Sequence, residues 1–136
     1  MVAALFVVHA ETTLLLAPVV GAYLILSALG VLLGRAGFVD DLRDHPAVLH
    51  AVGALAFLVG AGIVSFHRDW SSPADATVSL TGCWWALEGA GLLAAPNAFK
   101  HALGHPRYEP TFRVMNIAGL AVGGYLASVA VLGRMG

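Results

Sequence analysis

Four long apolar runs, separated by short polar segments, dominate the chain. Each run holds about 20 residues, the length that an α-helix needs to cross the hydrocarbon core of a bilayer. The sequence lacks the period-two alternation of a β-barrel, and only helices or closed barrels satisfy the backbone in lipid. The pattern therefore predicts an all-α bundle of four transmembrane helices, at Thr13–Gly34, Ala47–His67, Thr77–Pro96 and Phe112–Gly133.

Composition supports a membrane location and argues against other classes. Hydrophobic residues make up 59% of the 136 residues and charged residues 11%, with a mean hydropathy of +0.83. Soluble domains carry about 25% charged residues. A net charge of −1 without a basic stripe argues against nucleic-acid binding. We therefore interpret residues 1–136 as one integral membrane domain whose partner is the lipid bilayer.

The distribution of basic residues predicts the orientation. Lys and Arg are enriched in cytoplasmic loops of membrane proteins. The segments after the first and third apolar runs, together with Arg113 at the start of the fourth run, hold five of the seven basic residues, and the opposite side holds two. Both termini are therefore predicted to be extracytoplasmic, in a multi-pass protein of the bacterial inner membrane. The inner residues are Arg35, Arg43, Lys100, Arg107 and Arg113, and the outer ones are Arg68 and Arg134.

The two inner segments resemble each other and predict an internal duplication. RAGFVDDLRDHP and NAFKHALGHP each place an aromatic residue four positions before a leucine, as in a short helix lying at the membrane surface. Aligning the flanking sequence predicts two parallel repeats, 13–67 and 77–133, related by an axis along the membrane normal. The aligned pairs include Gly21 with Gly82, Gly30 with Gly91, Phe38 with Phe99, Leu42 with Leu103, and His45-Pro46 with His105-Pro106.

Small residues recur every four positions on the third and fourth predicted spans. Such stripes let helix backbones approach closely in lipid. We expect these faces to pack against each other or against a second subunit, which makes an oligomer possible. The packing positions are Gly82, Ala86 and Ala90 on the third span, and Gly119 and Gly123 on the fourth.

Glu88 is an acid at about the middle of the third apolar run. An ionised carboxylate at the bilayer centre costs at least about 2.5 kcal/mol, so such residues face protein rather than lipid. Three hypotheses remain open: Glu88 binds a proton or cation during transport, joins helices as a neutral hydrogen-bonding group, or contacts another subunit. Ser27 and Asn116 are the other intramembrane polar residues that we expect near it.

Four of the six histidines fall on the predicted inner side, and FHRDW on the outer side. Histidine is the commonest metal ligand, so His45, His50, His101 and His105 are candidate metal ligands, and His50 is also a candidate axial ligand of a tetrapyrrole. Their spacing matches no metal motif, and no cofactor is firmly implied. Phe66–Trp70 is interpreted as an aromatic belt with a local Arg–Asp pair.

Part of the chain resembles a known group of proteins. GIVSFHRDW followed by TVSLTGCWWALEGAGLLAAP is similar to small uncharacterised bacterial four-helix membrane proteins with an I-V-x-x-H-x-x-W motif and a T-x-x-G-W motif. In that group a lysine precedes the glycine where this chain has Glu88, so a shared polar role is not carried over. The resemblance implies four membrane helices and no activity. The matching residues are Ile63, Val64, His67, Trp70, Thr77 or Thr81, Trp84 or Trp85, Gly89 and Pro96.

No catalytic residue can be assigned from the sequence. GAGLLA formally fits a dinucleotide-binding pattern, but it follows no strand and lies inside an apolar run. We expect a structural or accessory subunit of a homo-oligomer or larger membrane complex, and lean against an enzyme. The alternatives are a small proton- or cation-coupled transporter or channel using Glu88, and a membrane helper that binds a metal or a tetrapyrrole.

Overall fold

The computed structural model describes residues 2–33, 44–67, 69–103, 105 and 108–135. Of residues 2–11, 103, 108, 109 and 133–135 it describes the backbone only. The described chain forms five helices joined by short connections, which confirms the predicted all-α class. They are α1 (Val2–Leu33), α2 (Pro46–Phe66), α3 (Pro73–Ala94), α4 (Pro96–Leu103) and α5 (Tyr108–Met135).

Three of these helices are long and apolar enough to cross a membrane. The candidate spans are Thr12–Leu33, Pro46–Phe66 and Pro110–Leu132, and they carry the first, second and fourth predicted spans. The third predicted span lies in α3, which is 22 residues long but includes two acids, Asp75 and Glu88. Among the described helices, three rather than four therefore qualify clearly as membrane spans, and α3 is not one of them.

The long helices form two antiparallel pairs, α1 with α5 and α2 with α3. A few further contacts between α1 and α3 join the pairs. The ends that meet at the connection between α2 and α3 are called here the His67 end, and α4 lies at the opposite end. Just inside the His67 end, small and branched apolar side chains from all four long helices form the core: Ala17, Val20, Ile63, Val78, Leu126 and Ala130.

Glycines allow the two helices of each pair to pack closely against each other. A Cβ placed on Gly21 of α1 would lie 2.9 Å from the carbonyl oxygen of Gly123 on α5. On α3, a Cβ on Gly82 would lie 2.5 Å from Cγ2 of Ile63, and a Cβ on Gly89 would collide with the backbone of Phe57. Backbones can approach this closely only where the side chain is absent.

Of the small residues predicted to pack between helices, some lie at a helix–helix contact and others do not. Gly82 and Ala86 face α2, where Ala86 lies beside Gly60, and Gly123 faces α1. Ala90 is half-buried. A Cβ on Gly119, in contrast, would meet nothing within 4 Å.

The pairing bears on the predicted duplication. The first helix of each predicted half packs against the second helix of the other half, and the aligned glycines Gly21 and Gly82 both lie at such a contact. The predicted surface helix of the second inner segment is α4, on which the ring of Phe99 faces Gly91. Its counterpart around Phe38 and Leu42 lies outside the described residues. The duplication therefore stays a prediction.

Replacing Gly89 with alanine should weaken the α2–α3 pair. The new methyl group would meet the backbone of Gly53 and Phe57, which cannot rotate away as a side chain could. Overpacking of this kind costs about 1–3 kcal/mol. The free energy of unfolding, measured by denaturing-detergent titration of the purified protein, should fall by about that amount.

Gly62→Ala is the matched control, because a Cβ there would meet nothing within 4 Å. If the two variants unfold at the same detergent fraction, the close α2–α3 contact is wrong.

Candidate functional site

Four buried polar side chains lie together at the His67 end. Thr13 is 5% exposed, His67 2%, Asp75 7% and Ser79 3%. They come from α1, from the residue that follows α2, and from the first two turns of α3. In the part of the chain that the structure describes, they are the only buried side chains of polar or charged type. We call these four residues the polar cluster.

The ends of α2 and α3 bring His67, Asp75 and Ser79 together. His67 leaves the helix in an extended conformation, while its N–H still donates to the Ile63 carbonyl at 2.7 Å. Ser72 and Asp75 form a capping box at the start of α3: the Asp75 N–H donates to Ser72 Oγ, and the Ser72 N–H donates to Asp75 Oδ2. Because residues four apart share a helix face, Asp75 and Ser79 both point toward His67.

Thr13 connects this arrangement to α1. Its hydroxyl donates to Asp75 Oδ1 at 2.5 Å, and the same oxygen lies 2.7 Å from Nε2 of His67. A hydroxyl that donates its hydrogen to a carboxylate presents lone pairs to its other neighbour, so Nε2 is the donor in that contact. The distance between His67 Nε2 and Asp75 Oδ1 is 3.9 Å, too long for a hydrogen bond. The Thr13 hydroxyl therefore bridges the imidazole and the carboxylate.

The hydrogen bonds also set the charge of Asp75. Burial raises the pKa of its carboxyl group, but hydrogen bonds from Thr13, Ser72 and Ser71 lower it, and together they outweigh burial and the repulsion from Asp69. The net pKa lies below the ordinary value of 3.8. The polar cluster thus holds an ionised carboxylate at neutral pH.

Ser79, His67 and Asp75 include the residue types of a nucleophile, a base and an acid. Ser79 Oγ lies 3.0 Å from Nδ1 of His67, a hydrogen-bonding distance. A nucleophile must meet its substrate, however, and Ser79 is only 3% exposed. The arrangement is therefore suited to holding helices and protons in place rather than to attacking a substrate.

The three polar residues predicted inside the membrane lie at separate positions. Glu88 is half-buried at the edge of the exposed face of α3, where Trp84 of the same helix hydrogen-bonds to its carboxyl group. Ser27 is exposed on α1. Asn116 is half-buried on α5, and its amide donates to the carbonyl of Phe112 at 2.7 Å. No hydrogen bond joins any two of the three within the described residues.

The predicted metal ligands are all exposed: His45, His50, His101 and His105. Within the described ranges, no group of three or more His, Cys, Asp or Glu side chains is placed so that it could hold a metal ion. The metal and tetrapyrrole hypotheses therefore gain no support from this part of the structure.

The polar cluster was not predicted from the sequence. His67 was expected in an aromatic belt at the membrane surface, a position that suits Trp70, which is 58% exposed, but His67 is only 2% exposed. Two signals were available: Ser72 and Asp75 have capping-box spacing, and Asp75 and Ser79 are one helical turn apart. Nothing in the sequence connects Thr13 with residues more than 50 positions away.

Comparisons with known proteins give no relative. No protein-family model matches the chain, and neither a curated protein nor a solved structure matches it.

Stability should fall in acid because of Asp75. A carboxyl whose pKa is lowered by folding stabilises the folded state above its ordinary value, and this contribution is lost as pH falls through its folded value. The free energy of unfolding should therefore decrease as pH is lowered below 3.8. Asp75→Asn should unfold more readily at neutral pH and show a smaller decrease in acid.

Asp44→Asn, at an exposed position, is the control for the loss of one acid. Detergent-unfolding curves measured from neutral pH to about pH 3 compare the three proteins. Identical acid slopes for wild type and Asp75→Asn would contradict the assignment.

Proposed function

We propose that this protein is a four-span membrane protein that serves as a structural or accessory subunit and associates with a second copy or another membrane protein through the outer face of α3. The observation that carries the proposal is the position of Glu88, a half-buried acid beside the exposed side chains of Trp84 and Leu87. It has the hydrogen-bonding capacity to join a further chain.

The length of α3 and its packing against α2 support a fourth membrane-spanning helix. Its 22 residues are about 33 Å long at about 1.5 Å per residue, which exceeds the hydrocarbon thickness of about 30 Å. The helix packs against α2, a candidate span, at Gly82 and again two turns later at Gly89. A helix that follows a spanning helix in this way lies at the same depth, with Asp75 in the headgroup region. The resemblance to four-helix bacterial membrane proteins agrees with this count.

The outer edge of α3 carries a polar stripe with spacings of four, three and four residues: Thr77, Thr81, Trp84 and Glu88. The threonine hydroxyls donate within their own helix, to the carbonyls of Pro73 at 2.7 Å and Thr77 at 2.8 Å. The carboxyl group of Glu88 can form several hydrogen bonds, and one bond from Trp84 does not use them all. In lipid, such a group is stabilised by a polar side chain from a neighbouring helix.

The position of Glu88 at the surface of the helix bundle favours association over transport. A residue that carries protons or cations lines a closed interior or a water-filled cavity. Glu88 instead lies where another helix can reach it, close to Trp84, which is 55% exposed. Flux measured in liposomes nevertheless separates the two functions directly.

Glu88→Leu should weaken assembly. Intramembrane hydrogen bonds contribute about 0.6–2 kcal/mol, so the dissociation constant should rise by roughly three- to thirtyfold. Native mass spectrometry of protein released from nanodiscs measures the oligomer fraction, or the fraction bound to a co-purified membrane subunit. Glu88→Gln should retain assembly, because an amide still donates and accepts.

Asn116→Leu is the matched control, because the Asn116 amide is bonded within its own helix. Equal assembly of all variants would overturn the association proposal. Loss of pH-dependent flux in liposomes by Glu88→Gln, with the fold intact, would support transport instead.

With four spans, the distribution of basic residues predicts that both termini lie outside the cytoplasm. A reporter that is active only in the periplasm, fused after Gly136, should be active. The same reporter fused after Lys100, near the end of α4, should be inactive. A cytoplasmic C-terminus would indicate three spans or the reverse orientation.

A further inference from the structure

The hydroxyl of Ser79 lies between two acceptors at the same distance. Its oxygen is 3.0 Å from Nδ1 of His67 and 3.0 Å from the backbone carbonyl oxygen of Asp69. The carbonyl of His67 is a more distant third neighbour, at 3.5 Å. A serine hydroxyl has one hydrogen, so it donates to only one of these groups at a time.

Whether Nδ1 of His67 carries a proton determines which of the two groups accepts the hydrogen of Ser79. Nε2 already donates to Thr13, so the ring has a hydrogen there in either charge state. With Nδ1 bare, Ser79 donates to Nδ1, and the Asp69 carbonyl loses that donor. With Nδ1 protonated, the ring donates to Ser79, whose hydrogen then turns to the Asp69 carbonyl. The protonated ring therefore supports one more hydrogen bond than the neutral ring.

We propose that the polar cluster is a proton-responsive latch, in which a proton on Nδ1 of His67 fastens the connection between α2 and α3 by turning the Ser79 hydroxyl onto the Asp69 carbonyl. The latch is independent of the association through Glu88. Its ligand is a proton, which adds to Nδ1 and leaves it again without any other covalent bond being broken, while the hydrogen bond between Nδ1 and Ser79 reverses its direction.

The ring of His67 faces groups from two helices. From α3, the ionised carboxylate of Asp75 faces Nε2 at 3.9 Å, and Ser79 faces Nδ1. From α1, Thr13 relays the bond to that carboxylate. Among the described basic side chains, Lys100 lies on α4 and Arg113 at the start of α5, both at the opposite end of the bundle. The side chains of Glu11, Arg68 and Arg134 lie outside the described part.

The connection that the latch holds has its own internal order. The carboxylate of Asp69 accepts hydrogen bonds from the backbone N–H of Trp70 at 2.8 Å and of Ser71 at 3.0 Å. The Ser71 hydroxyl reaches both Asp69 and Asp75. Fixing the Asp69 carbonyl therefore fixes the residue that organises this turn, and through Thr13 the same cluster holds α1.

Hydrogen exchange of the Trp70 and Ser71 amides tests the latch in the full chain in nanodiscs. Exchange is followed from about pH 5 to about pH 8 and is corrected for the intrinsic rate at each pH. One hydrogen bond of ordinary strength corresponds to roughly a two- to tenfold change in local opening. Protection should be higher by that factor at the acidic end.

Ser79→Ala should remove the pH dependence, because no hydroxyl remains to turn. Ser27→Ala, an exposed serine on α1, is the matched control and should keep it. Equal pH dependence in wild type and Ser79→Ala, or protection that does not change with pH in wild type, overturns the proposal.

A second measurement needs no variant. The ¹⁵N NMR signals of labelled His67 distinguish a ring with one protonated nitrogen from a ring with two. The change from one to two protonated nitrogens should coincide with the gain in protection of Trp70 and Ser71. If Nε2 rather than Nδ1 loses its hydrogen, or if the two changes occur at different pH, the latch is wrong.

Discussion

The hydroxyl group of Thr13 forms the side-chain hydrogen bonds that join the α1–α5 pair to the α2–α3 pair in the described structure. It lies between an ionised carboxylate and an imidazole, both buried, and it belongs to the other pair. Apolar side chains gain little by leaving lipid for each other, so contacts between membrane helices depend on packing and on hydrogen bonds. A buried donor or acceptor without a partner costs about 1–3 kcal/mol. The four cluster residues therefore constrain one another, and the loss of any one of them removes a hydrogen bond from at least one of the others.

Close packing has the corresponding role within each pair. At Gly21 and Gly123, and again along α3 at Gly82 and Gly89, backbones meet without intervening side chains. Such contacts fix how far one helix can slide along its partner. The register of α3 along α2 then determines which residues lie at the His67 end. Asp75 and Ser79 face His67 only in this register. The glycines and the polar cluster thus depend on the same alignment.

The sequence predicted the features that depend on local pattern. Apolar run length located the long helices, and the Phe99–Leu103 spacing predicted the short helix α4. The spacing of Ser72 and Asp75 is also that of a capping box, which the start of α3 has. The polar cluster was not predictable, because Thr13 and Asp75 are 62 positions apart and neither stands out in its segment. Glu88 stands out in the sequence because it interrupts an apolar run, whereas His67 and Asp75 lie near run ends, where polar residues are ordinary.

The pairing of α1 with α5 has a consequence for biogenesis. Chains enter the membrane from the N-terminus onward, and α1 packs mainly against α5, which is made after α2, α3 and α4. The α2–α3 pair consists of neighbours and can close as soon as both have left the ribosome. The Gly21 surface of α1 must instead wait in contact with lipid, or with the insertion machinery, until Gly123 has been synthesised. The hydroxyl of Thr13 can bond to His67 and Asp75 before that, so it can keep α1 beside the finished α2–α3 hairpin until α5 arrives.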